Sequence, residues 1–150
     1  MKVFNRHNAK GFTLVEIMIV VAIIALIAAV AIPNMLRARH NANETAAVAS
    51  LRTLVGALES FRANQTPLDY PADLPTLSSA NPPYIDTVLS GGTKQGYTFT
   101  YVRASANAYT VNADPVTANL TGTRGFFIDQ TGVIRVAASG AADATSPPLD

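Results

Sequence analysis

At 150 residues, with 14% charged side chains and no cysteine, the chain has room for one modest domain. The cysteine count excludes disulfide frameworks, thiolate zinc sites and cysteine nucleophiles. The net charge of +1 hides an asymmetry: residues 1–11 carry Lys2, Arg6 and Lys10 without an acid, leaving 8 basic and 10 acidic residues, net −2. No clustered basic face emerges from that balance, so no nucleic-acid partner is expected.

The first predicted element is a membrane helix. Ile17 to Ile32 reads IMIVVAIIALIAAVAI without a polar side chain, and Phe12 to Val15 extend the run. About 21 helical residues at about 1.5 Å each span the roughly 30 Å core of a bilayer. A buried core helix is the alternative, but so small a chain has too little protein to surround it. A cleaved secretory signal would place a small-residue site beyond the apolar run. That far side instead carries Pro33, Asn34, Arg37 and Arg39, whereas Gly11 stands before the run. The basic leader favours a topology with the N-terminus in the cytoplasm and the C-terminus outside, although Arg37 and Arg39 weaken the bias.

Glu16 is the one acid in this segment, and a carboxylate inside an apolar helix suggests function unless it merely snorkels to the interface. Pro33 lacks an N–H and is expected to kink the helix or end it at the membrane boundary. Helical signals resume in Ala38, Ala42, Ala46, Ala47 and Ala49, and Val48, Leu51, Leu54, Val55, Leu58 and Phe61 recur at helical spacing. The pattern predicts one long helix from about Phe12 to Arg62, bent near Pro33.

The stretch from Asn64 to Gly96 is proline-rich and predicts an ordered connection, with a short helix around Tyr84 to Leu89. Period-two alternation at Tyr97, Phe99 and Tyr101 predicts a strand paired with Ala108 to Ala113. Gly125 to Asp129 and Val133 to Ala137 predict a second hairpin, with Gly132 taking positive φ. The resulting antiparallel sheet has an apolar partner in the Leu51–Phe61 face, an α+β arrangement. Residues 138–150 are rich in Ala, Ser and Pro and predict a flexible tail.

No active site is legible. Without residues 1–11 the only histidine is His40, read as a solvated residue, and Asp69, Asp73, Asp86, Asp114 and Asp129 are scattered. No cofactor or metal site is expected, and Tyr97 and Tyr101 read as sheet core. The three Asn-x-Thr triplets, at Asn43, Asn64 and Asn119, read as chance occurrences.

Lys10-Gly11-Phe12-Thr13-Leu14-Val15-Glu16, running into the apolar stretch and ending at Pro33, resembles the type IV prepilin signature. The resemblance covers the first third of the chain. It implies cleavage between Gly11 and Phe12 by prepilin peptidase, N-methylation of the Phe12 amine, and a role in subunit assembly for Glu16 with Phe12. It further implies a pilin-like ladle: a leader at 1–11, a transmembrane and assembly helix at 12–33, an amphipathic helix at 34–62, a globular head at 63–137 and the tail at 138–150.

The expected partners are further copies of the chain in a helical filament, prepilin peptidase, an inner-membrane assembly platform and, before assembly, the lipid bilayer. The expected location is the inner membrane as a single-pass protein, then an extracellular pilus or a periplasmic pseudopilus. The function expected is structural, not enzymatic. Two alternatives stand beside a pilus subunit: a type II secretion pseudopilin, and a monomeric membrane-tethered binding module. The head lacks both the cysteine pair of many pilins and a loop matching the calcium site common in major pseudopilins.

Overall fold

A computed structural model describes residues 11–149; residues 1–10, on which most of the expected leader falls, and Asp150 lie outside the described residues. The chain divides after Met35 into two compact units. Helix α1, Leu14–Ala63, contributes to both and contains Pro33. This matches the expected long helix to within two residues at each end.

In the first unit, the large apolar side chains from Phe12 to Met35 are exposed. The helix there is long and apolar enough to cross a membrane. In the second unit, α1 buries a stripe of Glu44, Ala47, Leu51, Leu54 and Leu58, spaced three and four residues apart. That spacing keeps one side of a 3.6-residue helix turned toward a single partner.

The partner is a five-stranded antiparallel sheet in the order β1-β2-β3-β4-β5. Its strands are β1 (Thr93–Lys94), β2 (Tyr97–Ser105), β3 (Ala108–Pro115), β4 (Gly125–Asp129) and β5 (Arg135–Ala137). In β2, Tyr97 and Phe99 are buried while Thr98 and Thr100 are exposed. Tyr109, Val111 and Ala113 of β3 follow the same alternation. Register pairs Phe99 with Ala113, Tyr101 with Val111, Val111 with Ile128 and Ala113 with Phe126, which gathers these side chains under Leu51, Leu54 and Leu58. Burying each leucine contributes about 1.5–3 kcal/mol.

The 63–96 connection holds the one short helix expected near Tyr84 to Leu89, shifted slightly later, and adds a second helix and the strand β1. It contains α2 (Leu74–Ser79), announced by the N-cap Asp73 followed by Leu74-Pro75, and α3 (Thr87–Ser90) capped by Asp86. A capping acid followed by proline in the first turn starts a helix, a signal hidden by the proline density. Gln95 and Gly96, at φ of 47° and 77°, close a two-residue hairpin between β1 and β2. Two successive left-handed residues match the twist of paired strands. In the second hairpin, Gly132 takes the expected positive φ, 76°, and its N–H donates to the Asp129 carbonyl at 3.0 Å.

Residues 138–149, mostly exposed, are attached to the head at a few points: Ala142 is buried, Asn112 donates to the Ala142 carbonyl at 2.7 Å, and the Leu149 N–H donates to Ile134 O at 2.8 Å. Val136 N–H also donates to Pro147 O. The short β5 would otherwise leave its outer backbone groups unpaired, and the tail covers that edge.

Candidate functional site

Gly11 and Phe12 precede α1 and are exposed, Phe12 at 84%. The residues that follow form a reciprocal cap. Thr13 precedes the first helical residue, Leu14, and its hydroxyl accepts from the Glu16 N–H at 3.2 Å. The Glu16 carboxylate in turn accepts from the Thr13 N–H at 2.8 Å and the Thr13 hydroxyl at 2.7 Å. This is a capping box, in which a hydroxyl at the N-cap and an acid three residues later satisfy backbone donors that the helix leaves open. The signal, Thr-x-x-Glu before an apolar run, was present in the sequence and missed. Within its own chain, Glu16 thus has partners that make it a helix cap: a backbone N–H and a hydroxyl of its own helix start.

Pro33 lies inside α1, where it cannot donate the hydrogen bond that other interior residues supply. The structure brings none of Gly11, Phe12 and Glu16 together with Pro33, which stands 17 residues after Glu16 in sequence.

A second carboxylate on α1, Glu44, was not singled out from the sequence. It is 5% exposed, and its Oε1 accepts from the Thr123 N–H at 3.1 Å and the Arg124 N–H at 3.2 Å. Its Oε2 meets Arg124 Nε at 2.7 Å. Burial alone pushes this carboxyl up, but the hydrogen bonds from Thr123 and Arg124, with the guanidinium charge, outweigh it and hold the group below 4.5. Beside this pair, the Tyr97 hydroxyl donates to the Arg124 carbonyl at 2.8 Å. Gly122 permits the approach, because a Cβ there would collide with the Tyr97 ring. Glu44 stands seven residues before Leu51, on the same buried stripe, and that spacing was the available clue.

The remaining candidates have structural surroundings. Tyr97 is fully buried. Tyr101 donates to Pro71 O at 2.7 Å, and burial pushes its hydroxyl up to about 12. His40 is not simply solvated: its Nε2 lies 3.0 Å from the Leu120 carbonyl. Among the described residues, no three metal-ligating side chains gather in one place.

Residues 6–32 match the family described as the prokaryotic N-terminal methylation motif. The type IV wide pilus major component PilA4 of Thermus thermophilus is 42% identical over 103 residues, covering 69% of this chain and 71% of that protein. The type IV major pilin protein PilA of Myxococcus xanthus is 47% identical over 58 residues, 39% of this chain but only 26% of its own length. The type II secretion system core protein G of Escherichia coli is 30% identical over 89 residues, 59% of this chain and 60% of that protein.

Proposed function

The chain belongs to the family of type IV pilins and type II secretion pseudopilins, and from that membership we propose that it is the structural subunit of a type IV pilus-like filament. Prepilin peptidase cuts between Gly11 and Phe12, the Phe12 amine is methylated, and the subunit sits in the inner membrane with its head outside. Other copies then draw it through an inner-membrane assembly platform into a helical array, with residues 12–33 in the fibre and Pro33 giving that helix room to bend. The role is structural rather than enzymatic. The observation that carries this reading is the exposed Gly11-Phe12 pair directly before a capped helix whose Ile17–Ile32 run is apolar throughout, within a stretch that matches the methylation motif.

Glu16 has two roles to separate, the cap in its own chain and a contact to the Phe12 amine of a neighbour. Glu16→Gln keeps a capping acceptor and loses the charge, whereas Glu16→Ala loses both. The assembly role predicts that both variants are cleaved normally, reside in the membrane and yield little sheared filament. Full filament yield from Glu16→Gln would assign Glu16 to capping alone. Finding residues 1–11 intact in filaments by mass spectrometry of the N-terminal peptide would overturn the processing step.

The similarity to type II secretion core protein G supports a second reading, a short periplasmic pseudopilus. Surface filaments that persist in cells lacking the secretion machine would decide for the pilus.

A further inference from the structure

At one end of the head, the loop after β3 lies against the start of the head's helix. The Asn43 side chain donates to Thr121 O at 2.8 Å, and His40 Nε2 meets Leu120 O at 3.0 Å. These contacts hold a tight turn in which the Leu120 and Thr121 N–H groups both donate to Thr117 O and Asn119 adopts φ of 61°. With its backbone tied down, the turn presents its apolar side chains outward: Leu120 is 58% exposed and Val116 is 54% exposed. Leu36, Arg39 and Leu120 line one hollow of about 470 Å³.

Charge and position both point to what covers this end. Residues 34–43 carry Arg37, Arg39 and His40 and no acid, and residues 115–122 carry no charge. Leu36 follows Ile32, the last residue of the apolar run, by four positions, about 6 Å of helix. A residue so close to the end of a membrane span lies at headgroup depth. Exposed Leu120 and Val116, with Arg39 beside Leu120, have the composition of an interfacial anchor, with the apolar side chains in the acyl boundary and the cation at a lipid phosphate. The opposite end of the head is marked by Arg62, whose Nε donates to Ala106 O in the β2–β3 turn.

We propose that the Val116–Thr121 turn, with Leu36 and Arg39, is a membrane foot that seats in the phospholipid headgroup layer before assembly, with Leu120 inserted. The proposal rests on the membrane-anchored reading of residues 12–33 and adds to it a second attachment, made by the head.

The chain contains no tryptophan, so each single substitution gives a sole fluorophore. Full-length Leu120→Trp, Val102→Trp and Ile24→Trp are reconstituted separately into vesicles containing phosphatidylglycerol and lipids brominated at shallow or deep positions. Val102 is exposed on β2, near the far end of the head, and serves as the reference. The foot predicts several-fold greater quenching of Leu120→Trp than of Val102→Trp by the shallow bromines, weakened by the further change Arg39→Glu or by high salt. Ile24→Trp should be quenched most by the deep bromines. Quenching at 24 with none at 120 above the 102 reference overturns the foot while leaving the anchor intact. Absence of quenching at 24 overturns the anchor and the foot with it. A Leu120→Trp emission shift that follows protein density without quenching assigns the surface to a second copy and also overturns the foot.

Discussion

Glu44→Ala tests the link between α1 and the β3–β4 connection. The substitution removes a 5% exposed carboxylate and leaves the Thr123 and Arg124 N–H groups without their acceptor. Breaking a fully buried ion pair costs about 3–5 kcal/mol. Here the Arg124 side chain is 45% exposed and regains water, so its share is discounted. The two stranded N–H groups add about 1 kcal/mol each. The expected loss is about 3 kcal/mol, roughly 10–15 °C in melting temperature for a domain of this size. Urea unfolding followed by circular dichroism, on a chain truncated to begin at Asn34, measures it. The pH dependence supplies a second readout. The Glu44 pKa is lowered on folding, so its contribution is present above the ordinary value of 4.5 and lost as pH falls through the folded value. Wild type should therefore approach Glu44→Ala in stability as pH falls below 4.5 and through the lowered folded value. A variant within about 0.5 kcal/mol of wild type at pH 7, or a gap that persists unchanged into acid, would refute the clamp.

Asp114 offers the opposite sign: its Oδ1 is buried without a hydrogen-bond partner, and burial raises its pKa, so its ionised form destabilises the fold as pH rises. Asp114→Asn should raise the urea midpoint at pH 7 by about 1 kcal/mol equivalent, and the gain should vanish in acid. Gly122→Ala, which drives a methyl into the Tyr97 ring, should cost about 1–3 kcal/mol in the same unfolding assay. Leu58→Asp places a charge at a fully buried position against the sheet and should abolish cooperative melting of the truncated chain. Gly11→Val should leave uncut precursor in the membrane fraction, read by the intact mass.

The legible parts of this fold are those written as periodicity. Sixteen apolar residues from Ile17 to Ile32, the Leu51–Leu54–Leu58 stripe and the alternation at Tyr97 and Phe99 each state their environment directly. The parts that escaped depend on partners distant in sequence. Glu44 reads as a surface acid until residues 123 and 124 arrive, some 80 positions later. The attachment of the tail to β5 and Asn112 has no local signature either, because Ala, Ser and Pro have weak preferences of their own. The Thr13–Glu16 cap was local and readable, but it was masked by attention to the cost of a charge in an apolar helix.

That cap changes how an assembly role for Glu16 has to operate. The carboxylate is already engaged at the start of its own helix, so a neighbouring amine must compete with the Thr13 N–H and hydroxyl. Losing an N-terminal cap costs about 1 kcal/mol. Two opposite charges about 4 Å apart attract by about 4 kcal/mol at an effective dielectric near 20, before desolvation is subtracted. The margin favours the neighbour only where the amine is free and close. In the uncut chain the Phe12 nitrogen is a neutral peptide, so the competitor does not exist and the cap is unopposed. The proposed cut before Phe12 would therefore supply the group that can draw Glu16 away. A variant with Thr13→Ala loses the N-cap hydroxyl while keeping the charge of Glu16. It should be cleaved normally and assemble at least as well as wild type if the neighbouring amine is the destination. Filament loss in Thr13→Ala as deep as in Glu16→Ala, measured as sheared filament against cleaved subunit, would instead make the cap itself the requirement.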